Sequence, residues 1–349
     1  MRILITGGAG FIGSHVVDAS LAAGHEVGVV DDLSTGSREN LDPRASFWQV
    51  DIRSTDLDAI LTNFRPDVIN HHAAQMSVTA SARDPRRDAD INILGTLNLL
   101  EASVRHGVRR VVFASTGGAI YGDQDSVPTA ETVFPKPVSP YGVAKLAVER
   151  YLYAYQAMHG LRAIALRYSN VYGPRQNPHG EAGVVAIFSR GILEGRELTV
   201  NGDGAQTRDY VSVEDVVRAN MLALECREPS AESRVDPQAT HVDSQSRDPR
   251  IMSHEPSAIR NERQAGGPPL VLNIGTGRET SVNDLVRLFR EVAGKDVSCR
   301  HGSARPGEQR RSVLDCALAK RFLGWEATTD LRTGLARTFQ WFRSRYRGP

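Results

Sequence analysis

Short runs of β-branched and apolar residues alternate with longer segments of helical periodicity in the first half of the chain. The runs predict strands at 2–6, 26–31, 46–50, 67–73, 109–115 and 161–167, and the periodic segments predict helices at 12–24, 54–65, 80–106 and 140–159. Such alternation is typical of βαβ units that share a parallel sheet. The strands at 26–31 and 109–115 are apolar on both faces, as in a sheet that helices cover on both sides. We therefore expect an α/β fold with a doubly wound parallel sheet.

The second half of the chain is less regular and predicts a smaller α/β lobe. Its patterns indicate strands at 198–201, 209–211, 270–274 and 296–300, and helices near 182–194, 213–226, 281–293, 315–323 and 330–346. We expect residues 1–175 to form the larger domain, joined by returning segments near 209–226 and 270–275. The smaller lobe then comprises 176–208 and 276–349, and it caps the carboxyl edge of the sheet.

Residues 227–269 differ from their surroundings, because they contain few apolar residues and many prolines and charges. Such a segment cannot bury enough apolar surface to offset the entropy that it loses on ordering. The composition therefore predicts a polar, mobile insertion on the surface of the protein.

The overall composition restricts the class of protein. The 349 residues exceed one ordinary domain and fit two coupled lobes. The formal net charge is +1 and only 6% of residues are aromatic, so we expect no binding to nucleic acid. No apolar run is long enough to span a membrane, and the N-terminus has no signal-peptide pattern. The three cysteines are not arranged in pairs, which argues against disulfides and a metal site and favours the cytoplasm.

A glycine-rich motif follows the first predicted strand and opens the first predicted helix. It runs from Thr6 to Ser14 as TGGAGFIGS. Glycine permits a tight turn and a close approach of the backbone to a pyrophosphate, and the helix N-terminus offers unpaired N–H groups. The motif predicts a Rossmann-type dinucleotide site whose contacts are Gly7, Gly10, Phe11, Ile12 and Gly13.

Carboxylates end the next two predicted strands. Asp31 follows Gly13 by eighteen residues and is placed to accept hydrogen bonds from the adenosine ribose, with Asp32 beside it. A carboxylate there repels a 2′-phosphate, so we expect NAD rather than NADP. Asp51 and Ile52 close the third strand, where they can hold the adenine. The alternative for Asp51 is a cap at the end of the strand.

Tyr141 and Lys145 lie four residues apart in the helix predicted at 140–159 and therefore share one face. A tyrosine that acts as a base near neutral pH needs its pKa lowered from the ordinary value of about 10. A cation about 4 Å away contributes ~4 kcal/mol toward the phenolate at an effective dielectric constant of ~20. We expect Lys145 and the positive ring of oxidised nicotinamide to supply this stabilisation together.

Several motifs resemble one known family, and they occur in the family's order. They are TGGAGFIG at 6–13, HAA at 72–74, ST at 115–116, YGVAK at 141–145, LRYSNVYGP at 166–174, QTRDYV at 206–211, NIGTG at 273–277 and RPGE at 305–308. With these motifs the chain resembles the extended short-chain dehydrogenase/reductase family and, within it, the nucleotide-sugar epimerases. The likeness spans nearly all of the chain outside the expected insertion.

The resemblance implies a reaction and its catalytic residues. A member of this branch inverts C4 of a UDP-hexose, such as UDP-glucose or UDP-galactose, through a transient 4-keto sugar with bound NAD. Tyr141 then takes the proton of the 4-hydroxyl, Lys145 lowers its pKa and binds the nicotinamide ribose, and a hydroxyl after the fifth strand shares the proton. Because the usual position of that hydroxyl is Gly117 here, we assign the role to Thr116, with Ser115 as the alternative. Both hydroxyls are also suited to capping the strand end.

The resemblance also implies the remaining contacts with cofactor and substrate. The cofactor-binding set gains Ala73, Ala74 and Tyr168, and the substrate-binding set consists of Asn92, Thr116, Asn170, Val184, Phe188, Arg208, Arg305 and Glu308. The two arginines and the asparagine at 170 hold the diphosphate, since a guanidinium fork matches two phosphate oxygens. Glu308 accepts from the uridine ribose, and Val184 and Phe188 contact the uracil.

The same residues also bear on other reactions and substrates of related proteins. Gly118 and Ala119 replace the acidic residues of related dehydratases and decarboxylases, which disfavours those reactions. A small residue at Ser312, where the family controls the pocket size, favours UDP-N-acetylglucosamine as an alternative substrate. UDP-glucuronate is the other alternative and needs an added carboxylate site. A non-catalytic NAD-binding regulatory protein is the alternative from another class, but the retained Tyr141 and Lys145 argue against it.

Two long helical segments indicate how copies of the chain associate. The segments near 80–106 and 140–159 have apolar residues on more than one face. One face can cover the sheet while another packs against a partner's helices. Together with the family resemblance, this pattern predicts a homodimer.

Overall fold

Seven parallel strands form the central sheet. A computed structural model describes residues 1–124, 126–179, 183–226, 269–304 and 309–346. The strands, numbered in chain order, are β1 Arg2–Thr6, β2 Glu26–Asp31, β3 Ser46–Gln49, β4 Val68–His71, β5 Arg110–Thr116, β6 Arg162–Tyr168 and β11 Leu270–Ile274. Their order is β11-β6-β5-β4-β1-β2-β3, and every neighbouring pair is parallel. This order is that of a doubly wound Rossmann-type sheet, which confirms the predicted fold class.

Helices cover both faces of this sheet. One face carries α1 Phe11–Ala22, α9 Val213–Glu225 and α11 Ala317–Leu323, and the other carries α2 Asp56–Phe64, α5 Gly95–Arg105 and α7 Pro140–His159. Their apolar side chains form two cores, one around Val17 and Val216 and the other around Leu61 and Leu100. Burial on both faces explains why the central strands are almost continuous apolar runs.

The long helix predicted at 80–106 is wrong as a single element. The segment consists of α3 Val78–Arg83, α4 Pro85–Ala89, a π-helical turn at Asp90–Leu94 and then α5. Pro85 causes the first break, because the residue before a proline disfavours helical angles. That residue, Asp84, has φ −137° and ψ 81°, and its side chain caps α4 by accepting a hydrogen bond from the N–H of Arg87.

The C-terminal part of the chain packs around its own apolar core. Its helices are α8 Val184–Leu193, α10 Val282–Ala293 and α12 Leu331–Arg345. Two pairs of short strands are β7 Asn170–Tyr172 with β10 Tyr210–Ser212, and β8 Leu198–Asn201 with β13 Cys299–Gly302. A third small sheet has β9 Thr207–Arg208 between β12 Thr280–Ser281 and β14 Arg311–Ser312. The core includes Leu285, Leu335 and Phe339. A separate core is what the expected smaller lobe requires, while the exact domain boundaries stay a prediction.

Asp209, between β9 and β10, joins three segments of the chain. Its buried carboxylate accepts hydrogen bonds from the N–H groups of Thr276, Gly277 and Leu314 at 2.8, 3.1 and 3.3 Å. The hydroxyl of Thr276 donates to it as well, at 2.6 Å. Burial raises the pKa of this carboxyl despite the four donors. These bonds hold the loop after β11 and the segment after β14 against the strand that carries Arg208.

The described ranges contain no helix that is both long and apolar enough to cross a membrane. Within the same ranges, no cluster of histidine, cysteine or acidic side chains is suited to holding a metal ion. Residues 227–268 of the expected insertion lie outside the described part of the chain.

Candidate active site

The glycine-rich turn joins β1 to α1 at the carboxyl edge of the sheet. Gly7 has φ +68°, and a Cβ atom there would lie 2.5 Å from the backbone nitrogen of Ala73. A Cβ atom on Gly13 would lie 2.2 Å from the carbonyl oxygen of Gly7. Because only glycine fits at both positions, the backbone at the start of α1 is free of side chains that would block a ligand.

The N-terminus of α1 is not covered by a side chain. Its N-cap residue is Gly10, and no side chain caps the first turn, which begins at Phe11 and Ile12. The end of the helix carries a partial positive charge, and uncovered N–H groups of this kind bind pyrophosphate. Gly7, Gly10 and Gly13 therefore form a cradle that fits a dinucleotide.

Asp31 and Asp32 have different environments. Asp31 is buried and accepts hydrogen bonds from the N–H groups of Ala9 at 2.9 Å and Leu33 at 2.8 Å. Burial raises the pKa of its carboxyl. Asp32 is exposed and accepts from the N–H and the hydroxyl of Ser34, so it closes its own turn. Asp31 is thus the carboxylate tied to the glycine turn, and its oxygens keep lone pairs for ribose hydroxyls.

The other expected cofactor contacts lie after β3 and β4. Asp51 pairs with Arg53, whose Nη2 lies 2.6 Å from Oδ2, and this contact lowers the pKa of the aspartate. Its charge is therefore already compensated, which agrees with a role at the strand end. Ile52 is buried, and Ala73 and Ala74 are half-buried at the end of β4. The contacts of these residues with adenine and ribose stay predictions.

Tyr141 and Lys145 lie in the first turns of α7. Ser139 caps this helix, and its side-chain oxygen accepts a hydrogen bond from the N–H of Gly142 at 3.1 Å. The ammonium group of Lys145 donates to the carbonyl oxygen of Ala114 in β5 at 2.8 Å. The Lys145 Nζ atom lies 5.8 Å from the centroid of the Tyr141 ring. The structure therefore brings the expected pair together at the carboxyl end of β5.

The electrostatic environment of Tyr141 differs from the expectation. Burial raises the pKa of its hydroxyl, and the negative charge of Asp88 raises it further. Burial lowers the pKa of Lys145 to about 8, against the opposing effects of Asp88 and Glu149. In the protein alone, burial and Asp88 thus disfavour the phenolate, and the lowering expected from Lys145 together with oxidised nicotinamide stays a prediction.

Thr116 and Ser115 form different hydrogen bonds. Ser115 is buried, and its hydroxyl donates to Glu149 Oε1 at 2.6 Å. Thr116 is the N-cap of α6 Gly117–Ile120, and its Oγ1 accepts from the N–H of Ala119 at 3.2 Å. A hydroxyl that accepts one hydrogen bond still has its proton to donate. This geometry favours Thr116 over Ser115 for contact with a substrate oxygen, although Thr116 also caps a helix.

A buried polar network below the site was missed by the sequence interpretation. Arg167 Nη2 and Nε lie 2.6 and 2.9 Å from the two carboxylate oxygens of Glu149. Arg167 also donates to the hydroxyl of Tyr121 at 2.8 Å, and Tyr121 donates to Asn273 Oδ1 at 2.8 Å. The sequence did contain one indication of this network, because Glu149 follows Lys145 by four residues and therefore lies on the same face of the helix. Its partners come from other elements of the fold, which local patterns do not show.

Asn92 is engaged inside the protein and is only 3% exposed. Its Oδ1 accepts from the N–H of Gln75 at 2.9 Å, and its Nδ2 donates to the carbonyl oxygen of Gln75 at 2.9 Å. Nδ2 also donates to Asp88 Oδ1 at 3.1 Å. These bonds engage both ends of the amide and support the loop after β4, and the expected contact of Asn92 with the sugar stays a prediction.

Phe188 is part of the C-terminal core. Its side chain is buried against Phe289, with the ring centroids 5.9 Å apart in an edge-to-face arrangement. It lies on α8 and fills the C-terminal core, and its expected contact with the uracil ring stays a prediction. Val184 begins the same helix and is half-buried.

The expected phosphate contacts lie on two short strands. Asn170 begins β7 and is exposed, and its Oδ1 lies 3.9 Å from the position that a Cβ atom on Gly118 would take. Arg208 lies in β9, in register with Ser312 of β14. Arg305 and Glu308 lie outside the described residues.

Tyr168 ends β6 at the carboxyl edge of the sheet. Its hydroxyl exchanges hydrogen bonds with the amide of Asn220 in α9, and its ring stacks on His72 with centroids 6.5 Å apart. Since its hydroxyl is occupied, any contact of Tyr168 with the cofactor involves the ring or the backbone.

The glycine turn and the Tyr141–Lys145 pair on one edge of a parallel sheet are the signature of the extended short-chain dehydrogenases/reductases. The sequence profile of the NAD dependent epimerase/dehydratase family matches residues 3–235, and the chain belongs to this family. This membership confirms the resemblance noted in the sequence.

Full-length relatives and solved structures are similar to this chain. The UDP-glucose 4-epimerase of Mycolicibacterium smegmatis is 41% identical over 99% of both chains. The crystal structure of UDP-glucose 4-epimerase from Thermotoga maritima with UDP-glucose is 45% identical, with a TM-score of 0.85 over 99% of both chains. That of the Thermus thermophilus enzyme in complex with NAD is 40% identical, with a TM-score of 0.84 over 99% of this chain and 100% of that one.

Proposed function

We propose that the protein is an NAD-dependent 4-epimerase that interconverts UDP-glucose and UDP-galactose through a transient 4-keto sugar. The observation that carries this proposal is the convergence of the glycine turn and the Tyr141–Lys145 pair at one edge of the sheet. The similarity to the Mycolicibacterium smegmatis and Thermotoga maritima enzymes over nearly the whole chain supports the same substrate. Such an activity serves galactose metabolism.

The residues of the glycine turn and its surroundings fit NAD. The uncovered first turn of α1, at Phe11 and Ile12, binds the pyrophosphate, and Asp31 binds the adenosine ribose. The buried Asp31 carboxylate repels a 2′-phosphate, which favours NAD over NADP. When bound, oxidised NAD supplies a positive ring that favours the phenolate and a carbon that accepts hydride from C4 and returns it to the opposite face.

Tyr141 is the base of the proposed reaction. It takes the proton of the 4-hydroxyl as the 4-keto sugar forms, and it returns the proton when the ketone is reduced. The hydroxyl of Thr116 accepts a hydrogen bond from the N–H of Ala119, so its own proton is available to donate to the same sugar oxygen and to hold that oxygen in place. Because burial and Asp88 raise the pKa of Tyr141, the phenolate needs positive charge in addition to that of Lys145. The base is therefore generated only in the complete site.

The UDP moiety is bound by the C-terminal part of the chain. Asn170 and Arg208 lie on strands that follow the carboxyl edge of the sheet, and we propose that they bind the diphosphate with Arg305. We propose that Glu308 accepts from the uridine ribose and that Val184 lies beside the base. The domain boundaries proposed for this lobe are 176–208 and 276–349, with 1–175 as the NAD-binding domain.

Ser312 favours UDP-N-acetylglucosamine as a second substrate. Its strand pairs with β9, and Ser312 is in register with Arg208, so the small side chain lies next to a proposed phosphate ligand. A small residue at this position leaves room for an acetamido group. Ser312→Tyr is expected to reduce the turnover of UDP-N-acetylglucosamine at least tenfold more than that of UDP-glucose. Equal losses for both sugars would remove this proposal.

We further propose that the protein is a cytoplasmic homodimer. Four apolar side chains of α7 and the turn before α5 are between 39 and 56% exposed: Leu94, Val143, Tyr151 and Tyr153. A second copy that packs the same helices against them would bury these side chains. Light scattering after size exclusion tests the dimer, and Tyr153→Glu is expected to shift the protein toward the monomer.

The decisive experiment compares three nucleotide sugars. The purified protein is incubated separately with UDP-glucose, UDP-glucuronate and UDP-N-acetylglucosamine, and the C4 epimers are separated. Formation of UDP-galactose from UDP-glucose supports the proposed function. Exclusive turnover of UDP-glucuronate assigns the alternative substrate, whereas the absence of any epimer with NAD bound favours a non-catalytic, regulatory role.

A further inference from the structure

Asp88 is a buried carboxylate beside the catalytic helix. It is 1% exposed and lies in α4, which packs against α7. Its Oδ1 accepts hydrogen bonds from Gln75 Nε2 at 2.8 Å and from Asn92 Nδ2 at 3.1 Å. Its Oδ2 is buried and has no hydrogen-bond partner in the part of the chain that the structure describes. One side of this carboxylate is thus fixed by two amides, and the other is uncompensated.

The charge of Asp88 distinguishes it from the other buried carboxylate near Lys145. Glu149 is paired with Arg167, with 2.6 Å between Oε2 and Nη2. No arginine or lysine within the described ranges forms an ion pair with Asp88. A buried carboxylate that lies outside ion-pair distance of any cation is costly for folding. Its helix packs against α7, which carries the two titratable side chains proposed for catalysis, and such a location is typical of a functional group.

We propose that Asp88 acts as a fixed negative charge on the Tyr141–Lys145 pair and governs where the catalytic proton resides. It is a positioning residue, and this role rests on the proposed function. The π-helical turn Asp90–Leu94 begins two residues after Asp88 and carries Asn92, which orients the carboxylate. Turns of this kind are frequent at functional sites.

The electrostatic effects of Asp88 have the same direction on both members of the pair. Its charge raises the pKa of the Tyr141 hydroxyl and opposes the burial that lowers the pKa of Lys145. The charge of Asp88 thus favours the neutral hydroxyl of Tyr141 and the charged ammonium group of Lys145, which are the protonated forms of both side chains. His71 ends β4 and His72 follows it, and burial together with the charge of Lys145 lowers the pKa of each, that of His72 to about 3. Their burial therefore favours the neutral form of both histidines.

The remaining charges on the elements packed against α7 have other partners or face solvent. Those at the surface of α3 and α4 are Arg83, Asp84, Arg86 and Arg87. Asp90 of the π-helical turn pairs with Arg53, and Glu101 of α5 bonds with Tyr155, further along α7. Asp88 is therefore the buried charge on these neighbouring elements that acts on Tyr141.

The test is a titration of the Tyr141 phenolate. Ultraviolet absorbance of the NAD-containing protein is followed against pH without sugar, and the signal of Tyr141→Phe is subtracted. Asp88→Asn retains an oxygen that accepts both amide bonds but removes the charge. We expect its midpoint at lower pH than that of the wild type. Asp90→Asn is the matched control, since it removes the same charge at a half-exposed position, and its midpoint is expected to equal the wild-type value.

Equal midpoints for Asp88→Asn, Asp90→Asn and the wild type would overturn the proposal, because an anchoring role alone is preserved in the asparagine. Should Asp88→Asn fail to fold, Asp88→Ser carries the same expectation with a smaller neutral side chain. The acidic limb of the epimerisation pH profile should move in the same direction as the phenolate midpoint. If the wild type gives no Tyr141 signal, the assignment of the base and the role of Asp88 both fail. If the Tyr141 signal is present but does not change in the Asp88 variants, only the role of Asp88 is overturned, and Tyr141 remains the proposed base.

Discussion

Lys145 and Ala114 are joined by a hydrogen bond of 2.8 Å between the ammonium group and the main-chain carbonyl oxygen. The bond connects the catalytic helix α7 to the carboxyl end of β5. Ala114 lies two residues before Thr116, so the position of Lys145 and that of the hydroxyl are fixed by the same strand. The three proposed catalytic residues are therefore positioned relative to one another by α7 and β5.

Tyr141→Phe tests the base directly. The substitution removes the hydroxyl and retains the ring, so we expect turnover to fall by about 10²- to 10⁴-fold, the usual contribution of acid–base catalysis. NAD should remain bound, because the glycine turn is unchanged. The epimerisation rate and the nucleotide released on denaturation measure the two properties. A normal rate in this variant would contradict the assignment.

Lys145→Met tests the low pKa of the buried lysine. The pKa is about 8 in the folded protein, and the ordinary value of 10.5 applies to the unfolded chain, so between these values the unfolded state binds more protons. The free energy of unfolding of the wild type should then rise with pH relative to that of the variant, and the difference should be flat below pH 8. Denaturant titrations at several pH values measure this difference. A constant difference up to pH 10.5 would show that the lysine pKa is not lowered.

Glu149→Gln leaves Arg167 buried without its counter-charge. Breaking such a pair from one side costs roughly 3–5 kcal/mol, and we expect a loss of that order in the free energy of unfolding. The double variant Glu149→Gln/Arg167→Met should be less destabilised than the single one, because no charge is left unpaired.

The exposed pair Asp42–Arg44 provides the control for that experiment. Both of its side chains are accessible to solvent. Arg44→Met should leave the free energy of unfolding unchanged within error, because water screens the pair. A loss equal to that of Glu149→Gln would indicate that burial is not the cause.

Gly13→Ala tests the close packing of the glycine turn. The added Cβ atom would meet the carbonyl oxygen of Gly7 at 2.2 Å, so the turn has to shift. We expect destabilisation by roughly 1–3 kcal/mol and weaker binding of NAD. Gly302→Ala is the control, since its Cβ atom would lie 3.4 Å from Thr199 Cγ2, an ordinary contact. Calorimetric titration with NAD compares the two, and equal affinities would exclude the close approach.

Local patterns predicted the elements that carry the site. The order of strand, glycines and helical periodicity located β1 and α1, and the Ser139 cap followed by Pro140 predicted the start of α7 at the correct residue. The break between α3 and α4 could have been predicted from Pro85, because the residue before a proline disfavours helical angles, but the apolar periodicity of the segment favoured a single helix.

Interactions between distant segments could not be predicted. Whether Tyr141 has a raised or a lowered pKa depends on its burial and on Asp88, 53 residues earlier in the chain, and neither is encoded in the Tyr-x-x-x-Lys spacing. The roles of Asn92 and Phe188 were taken from the family resemblance. In the structure their side chains support the loop after β4 and the C-terminal core, and their contacts with sugar and uracil stay predictions.

The carboxylate of Asp209 links the nucleotide-sugar side of the protein to the sheet. Thr276, Gly277 and Leu314 all donate to it, and Arg208 precedes it in the chain. A displacement of any of these segments would break hydrogen bonds that no solvent can replace in a fully buried position. Movement of the proposed UDP-binding lobe at this point would have to break these bonds, so we expect differently sized sugars to be accommodated by side chains such as Ser312.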